Sequence, residues 1–370
     1  MKTNNVKILR TINRRTGQLL LLTLIACMVV TQTGLGTCHA TSDESQRTVT
    51  VMTRNMDQGS DLARVLGAST FEELLTAVAD TYTEVVASDI PQRAAAVARE
   101  IRTAQPDLVG LQEVSIWWTG PFGGPANNVA FDALQSLLDE LNQLGLHYAV
   151  VATQTNLDAE APSALGFDVR LTNRDVLLAR TDLMTAELKL SNVHAQRFDT
   201  NLEVTSPILG TLVIPQGWIS VDAKIRGKQF RFITTHLDGF SPLVRLAQAN
   251  ELVQKPGATD LPVALVGDFN SDAESVDPDQ NGAYQLLVSA RFQDAWVRVH
   301  PHMEGFTWPL HGEDPFTSSA TPNQRLDLVL LRGVVHTLSA ELIGDEPEDL
   351  TPSGLWPSDH AGVVSSLQIR

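Results

Sequence analysis

Cysteine is nearly missing from this 370-residue chain: there are two, Cys27 and Cys38, and both lie in the first 40 residues. Beyond residue 40 there is thus no material for a disulfide framework, a thiol nucleophile or a Cys/His zinc cluster. Acids are missing from those same 40 residues, which carry Lys2, Lys7, Arg10, Arg14 and Arg15 without one Asp or Glu. The apolar run Leu19–Val30 falls short of the roughly 20 residues that a membrane span needs. A basic start, a short apolar run and a small-residue exit at Ala40 read as a secretory signal peptide over residues 1–40. An uncleaved anchor and a lipoprotein signal at Cys27 are the alternatives. Cations are scarce overall, with a net charge of −16. Without the first 40 residues, 22 Lys and Arg face 43 Asp and Glu, a net of −21. Such a surface repels polyanions unless a local patch or a metal compensates, which counts against a nucleic-acid substrate without excluding one.

What is present is an ordinary globular composition, 43% hydrophobic and 19% charged, with enough chain for a large core. Apolar, β-branched segments predict strands at 48–54, 108–111, 176–179, 217–225, 229–234, 263–266, 326–331 and 362–369. Helical patterns fall at 70–87, 91–104, 128–144, 242–253 and 282–289, with Pro91 suited to a first turn. The mixture, sustained along the length, predicts one α/β domain over residues 45–370. Irregular stretches are expected at 116–125, 153–167, 272–281, 301–324 and 344–357, where loops often carry function.

The informative feature is where polar side chains fall. TVTVMTR stops at Asn55, DLVGL runs into Gln112-Glu113, QFRFITT stops at His236, and PVALVG stops at Asp268 with Asn270 two residues on. Two more candidates open strands: Asp327 in RLDLVLL, and Asp359-His360 ahead of AGVVSSLQI. The start of a strand lies beside the end of its antiparallel neighbour, so all eight groups would converge on one edge of a sheet or sheet pair. Carboxylates and amide oxygens suit a hard cation, magnesium or manganese. Two histidines with nearby acids suit proton transfer near neutral pH. Taken singly, Asp268 and Asn270 also suit a turn, and either histidine suits a structural role; the shared strand-end position is what carries the argument.

In order, these segments (QPDLVGLQEV, TTHLDG, VALVGDFNS, RLDLVLLRG, SDHAGV) resemble the endonuclease/exonuclease/phosphatase superfamily, the deoxyribonuclease-I-like fold, over residues 48–370. The resemblance implies a four-layer α/β/β/α sandwich of two mixed β-sheets with outer helices. It implies Glu113 as principal metal ligand, helped by Asn55 and Asp359, and Asp268 and Asn270 positioning the attacking water and the phosphate. His360 would contact the phosphate as general base or electrostatic stabiliser, oriented by Asp327, and His236 would stabilise the phosphorane or protonate the leaving oxygen. Either Asp268 or His360 would be the base.

Two stretches depart from a minimal member. Fifty-seven residues separate Asn55 from Glu113, a surplus that would cover the active site as a lid, shape the substrate pocket or simply pack. After Glu113 comes IWWTGPFGG, whose Trp117 and Trp118 would stack a substrate ring, dip into a membrane interface, or pack beneath the loop.

The function this predicts is a secreted or periplasmic, metal-dependent phosphoric ester hydrolase, phosphodiesters first. The substrate would be a lipid headgroup (sphingomyelinase-like or phospholipase-C-like), a nucleic acid (non-specific nuclease) or a small molecule, with transient membrane contact and no obligate protein partner. A small-molecule phosphatase would want a basic pocket, for which Arg170, Arg174 and Arg180 are candidates. The competing class is a non-catalytic binding member, whose mark would be a lost catalytic residue.

Overall fold

The computed structural model describes residues 48–312 and 320–370. The expected signal peptide and both cysteines lie outside the described residues. In chain order, β1 (Thr48–Asn55) is followed by α1 (Ala63–Leu66), α2 (Phe71–Ala87) and α3 (Ile90–Ala104). Next come β2 (Leu108–Gln112), β3 (Ile116–Pro121), β4 (Asn128–Asp132), α4 (Ala133–Gln143), β5 (Tyr148–Pro162) and β6 (Phe167–Arg180). The second half holds β7 (Leu188–Arg197), the hairpin β8 (Leu202–Ser206) and β9 (Gly210–Ile214), β10 (Gly217–Ile225), β11 (Lys228–His236) and α5 (Pro242–Gln254). It ends with β12 (Val263–Asp268), α6 (Pro278–Ser289), β13 (Gln293–Asp294), α7 (Ala295–Val299), β14 (Asp327–Arg332), β15 (Val335–Ile343) and β16 (Gly362–Ile369).

Two large mixed sheets result. The first runs β15-β16-β1-β2-β6-β3-β4 with β5 also on β6; the second runs β13-β14-β12-β11-β10-β7. Strands β1, β2, β11, β12 and β14 are buried almost throughout, which explains why they read as continuous apolar runs rather than alternating ones. One core lies between the sheets: Val49, Val51 and Leu108 pack with Ile219, Val221, Phe230, Phe232 and Val266. Helices α2, α3 and α4 cover the outer face of the first sheet through Leu74, Val97, Ile101 and Leu137. Helices α5 and α6 cover the second through Leu252, Tyr284 and Leu287. This is the expected α/β/β/α layering, with about 1.5–3 kcal/mol from each large apolar side chain taken from water.

The sheets approach closely beneath the future site. At Gly110 of β2 an added Cβ would lie 2.2 Å from Thr234 Oγ1 of β11, so glycine is what permits the crossing. The space is used by Gln112, which accepts from Thr53 Oγ1 at 3.1 Å and donates to Thr234 Oγ1 at 3.0 Å, tying β1, β2 and β11 together.

Several boundaries differ from the sequence expectation. The helix expected over 128–144 begins only at Ala133; residues 128–132 form β4, and Asp132 caps the helix by accepting from Leu134 and Gln135. Stretches expected to be irregular at 116–125 and 153–167 are largely β3 and β5, which pair with β6. Strand β7 is almost wholly exposed and β5 half exposed, so neither carries an apolar run to announce it. No described helix is long and apolar enough to cross a membrane.

Candidate active site

Strand register builds the floor of the site. His236 of β11 pairs with Asp268 of β12, and Asp268 with Asp327 of β14, which places three reactive side chains in one row. On the first sheet Asn55 pairs with Gln112, and Glu113 follows at once. Asn55 bridges the sheets: its Nδ2 donates to Glu113 Oε1 at 3.3 Å and to Asp268 Oδ2 at 3.1 Å. His360, ahead of β16, sets Nδ1 2.7 Å from Asp327 Oδ2 and Nε2 3.7 Å from Asp268 Oδ2. Asn270 Nδ2 lies 3.1 Å from His236 Nε2 and donates to the Leu237 carbonyl. Asp359 Oδ2 accepts from Trp308 Nε1 at 3.2 Å. The eight strand-end residues singled out from sequence therefore meet at one edge.

Glu113 (φ +56°) and Asn270 (φ +47°) both sit in the left-handed region, a costly choice for residues other than glycine. It turns each side chain back over the edge of its sheet. A fully buried ion pair supports the floor from below. Arg54 donates to Glu100 of α3 at 2.8 and 2.9 Å, and its Nη1 donates to the carbonyl of His360.

Electrostatics are dominated by carboxylates. Burial pushes Glu113 up to about 7; Asp359 and Asp57 add to this, and His236 opposes it. Burial alone would lower His360, yet Asp327, Asp359 and Asp268 raise it well above its ordinary value. His236 is likewise raised against its burial, by Asp268, Asp175 and Glu113. Asp327 is raised by burial, opposed by His360.

Asp175 of β6 was not among the sequence candidates. It is fully buried, and burial pushes it up to about 6 against the charge of His236. Its signal was a lone acid ahead of the apolar run Val176–Ala179. Trp117 and Trp118 require correction. Trp117 is buried and donates Nε1 to the Gln58 carbonyl at 2.8 Å; Trp118 lies under Arg170, with Nε1 on Thr172. Neither lines the cavity described next, because pairing of β3 with β6 directs them into the sheet's own packing. The basic-pocket candidates are also elsewhere: Arg170 pairs with Asp158, Arg174 with Asp132 and Arg180 with Asp182.

Above the floor opens a cavity of about 700 Å³, lined by Glu113, His236, Asn270, Asp359 and His360 at its base. Its walls come from Asp57–Leu62 and Leu66, from Ile214–Gln216, from Gly239, Phe240 and Pro242, and from Trp308–Gly312. The surplus after Asn55 thus packs and shapes the cavity at once: α2 and α3 cover the first sheet, and their leading segment lines the cavity. That segment is clamped. Arg93 donates to the carbonyls of Met56 (2.8 Å) and Asp57 (3.0 Å), and Gln58 N donates to Glu113 Oε2 at 2.9 Å. Across the mouth His311 Nε2 lies 3.7 Å from Asp57 Oδ2. Although burial opposes it, Asp57 raises His311 to about 9; Arg93 and His311 in turn hold Asp57 low despite burial.

Two donor sets could hold a cation. Asp268, Asp327 and His360 place ligand atoms within 4.8 Å of one another. However, the 2.7 Å contact of His360 with Asp327 already occupies one atom of each. Glu113 and Asp359 both line the cavity base with Asn55 beside Glu113, and the raised Glu113, repelled by Asp359, marks a buried carboxylate whose charge is not compensated. This oxygen-only set fits a hard cation such as Mg²⁺. Asn55 presents Nδ2 there, its Oδ1 accepting from Asp57 N at 2.8 Å, so ligation would require the amide to turn.

A family model described as the Endonuclease/Exonuclease/phosphatase family matches residues 86–360. No curated protein matches the chain by sequence. Among solved structures it is similar to an endonuclease/exonuclease/phosphatase family protein of Bacteroides thetaiotaomicron, with TM-score 0.53, 18% identity, and 87% of this chain and 95% of that one covered. It is similar also to a mannosyl-6-phosphatase of the same species (0.51, 17%, 86% and 99%) and to TDP2 of D. rerio complexed with single strand DNA product (0.52, 14%, 87% and 99%). At these identities the likeness is one of fold.

Proposed function

The chain belongs to the Endonuclease/Exonuclease/phosphatase family, and from that premise we propose that it is a divalent-metal-dependent phosphoric ester hydrolase, phosphodiesters being the expected ester class. The observation that supports this best is the convergence of Asn55, Glu113, His236, Asp268, Asn270, Asp327, Asp359 and His360 from six strand ends onto one edge of the paired sheets, where Glu113, His236, Asn270, Asp359 and His360 line the base of one cavity.

Glu113 and Asp359, with a turned Asn55, would hold Mg²⁺ or Mn²⁺. The cation, when bound, supplies positive charge that polarises the phosphoryl oxygen and favours attack by water. The protein's own groups do the rest. Asp268 Oδ2 lies between His236 and His360, positioned to orient a water and accept its proton. Asp327 fixes the His360 ring, and the surrounding carboxylates keep His360 protonated, so that Nε2 donates to a phosphate oxygen as charge builds there. That favours the stabiliser role for His360 and the base role for Asp268. His236, raised by Asp268 and Asp175, donates the proton to the departing oxygen. Residues 1–40 would act as a secretory leader, placing the enzyme outside the cytoplasm.

Calorimetric titration with Mg²⁺ tests the metal assignment. The wild type should bind one ion and Glu113→Gln should bind it at least tenfold more weakly. Equal binding by Glu113→Gln, with loss in Asp327→Asn, would move the ion to the Asp268–Asp327–His360 set.

A further inference from the structure

The cavity has one wall that takes no part in the reaction. Asn156 of β5, Asn173 of β6 and Gln216, between β9 and β10, all line it. Asn156 is 1% exposed and Asn173 9%. Each of the three carries a buried amide oxygen with no hydrogen-bond partner in the protein, Asn156 Oδ1, Asn173 Oδ1 and Gln216 Oε1, and Asn156 Nδ2 is a buried donor without a partner beside them, which a hydroxyl oxygen can satisfy as acceptor. For Asn173 the nitrogen is committed, donating to Gln58 Oε1 at 2.8 Å, which leaves the oxygen free. Buried acceptors without donors are rare in folded proteins, and three on one cavity wall call for a ligand that donates.

The same cavity is poor in cations. Among its described lining residues Arg245 is the one arginine, there is no lysine, and the wall imidazolium His311 is paired with Asp57. Arg245 is already spent, Nη1 on the carbonyls of Asp238 and Gly239 and Nη2 on that of Asp279. Asp61, Glu84 and Asp279 line the wall instead, and residues 313–319 contain no Lys or Arg. A nucleic-acid backbone needs cations beyond the scissile phosphate. A quaternary ammonium headgroup suits acidic walls but has no hydrogen to donate. Hydroxyl groups meet both conditions.

We propose that Asn156, Asn173 and Gln216 form a hydroxyl-binding subsite, and that the substrate is a phosphate ester of a neutral polyol such as a sugar or cyclitol. This rests on the hydrolase reading and narrows it. Hydrolysis forms a bond from phosphorus to the water oxygen and breaks the one to the polyol oxygen. The polyol leaves with a proton delivered by His236, while Asp268 takes one from the water.

The test uses the full-length protein with Mg²⁺. Substrates are hexose 6-phosphate, inositol 1-phosphate, glycerophosphoinositol, phosphoethanolamine, sphingomyelin vesicles and plasmid DNA, with p-nitrophenyl phosphate and its bis ester as polyol-free references. Gln216→Met removes one acceptor while the backbone bonds of Gln216 to Asn201 and Phe198 persist. Asn156→Leu is the stronger variant wherever it folds. A polyol ester should show the lowest KM, by tenfold or more over phosphoethanolamine. Gln216→Met should raise that KM about threefold to tenfold, with kcat unchanged and the aryl references within twofold. The monoester and diester arms identify the ester class. Preference for DNA, vesicles or phosphoethanolamine, or an unchanged polyol KM in Gln216→Met, overturns the subsite while aryl turnover keeps the hydrolase reading. No aryl turnover by the wild type overturns both.

Discussion

At the base of the site His236, Asp268 and Asp327 stand abreast because the register of three hydrogen-bonded strands sets them in one row. On the wall Gln58, Gln216, Phe240 and His311 come from separate connections that share no register at all. The floor is buried, rich in carboxylates and crossed by the Asn55 and Gln112 bonds between sheets. The wall mixes amides, glycines and acids such as Asp61 and Glu84 with exposed aromatics, such as Phe240 at 60% exposure. A site built this way can keep its chemistry while its substrate changes, because loop residues vary without moving the row beneath them.

Breaking the floor should have the largest effect. Asp268→Asn is expected to lower kcat by roughly 10²–10⁴-fold, whereas Gln58→Ala on the wall should act mainly on KM and by roughly tenfold or less. Steady-state kinetics on an aryl phosphodiester decides it, and comparable losses in the two variants would erase the distinction between floor and wall.

Next comes the support of the floor. Glu100→Ala strands the fully buried Arg54 guanidinium, a change that costs about 3–5 kcal/mol of stability. Because Arg54 also holds the His360 carbonyl, activity should fall in the surviving folded fraction. Urea denaturation with activity measured alongside checks both; a loss below about 1 kcal/mol would show that the pair is not a support.

The wall should respond to alkali through KM, whereas loss of the His360 and His236 protons on the floor acts on kcat. His311 is raised from 6.5 to about 9 chiefly by Asp57 once its burial is overcome. A raised pKa means that the contribution of the protonated form is complete below about pH 6.5 and is lost as pH climbs through about 9. Asp57, held low, stays charged across that window. NMR titration should show the His311 ring changing near pH 9, and KM rising over the same range in the wild type but not in His311→Gln. Titration near 6.5 would contradict the contact across the mouth.

The smallest effect is expected at Trp118→Phe, which removes the bond to Thr172 but touches no cavity residue. KM and kcat should stay within about twofold, and a larger shift in KM would bring β3 back into the site.

The same contrast explains what could be read from sequence. Central strands are apolar on both faces, so their polar terminators, Asn55, Glu113, His236 and Asp268, stand out, and the α/β class followed from the same runs, while the layering came only with the family resemblance. Strand β7 and the half-exposed β5 carry no such contrast, and β4 was absorbed into the helix that Asp132 begins. Asp175 was missed because it stands just ahead of the apolar run Val176–Ala179, in the middle of β6 rather than at a strand end. The tryptophans were misread for the opposite reason: glycines around IWWTGPFGG suggest a loop, but pairing with β6 buries Trp117. Wall residues such as Gln216 and His311 carry no local signal; only the tertiary arrangement sets them over the floor.

The most direct measurement is hydrolysis of bis-p-nitrophenyl phosphate by the wild type and His360→Ala, with Mg²⁺ and with chelator. The account predicts turnover with Mg²⁺ that chelator abolishes and metal restores, and a loss of roughly 10²-fold or more in a folded His360→Ala. Turnover that persists in chelator, or none with any divalent cation, would contradict it.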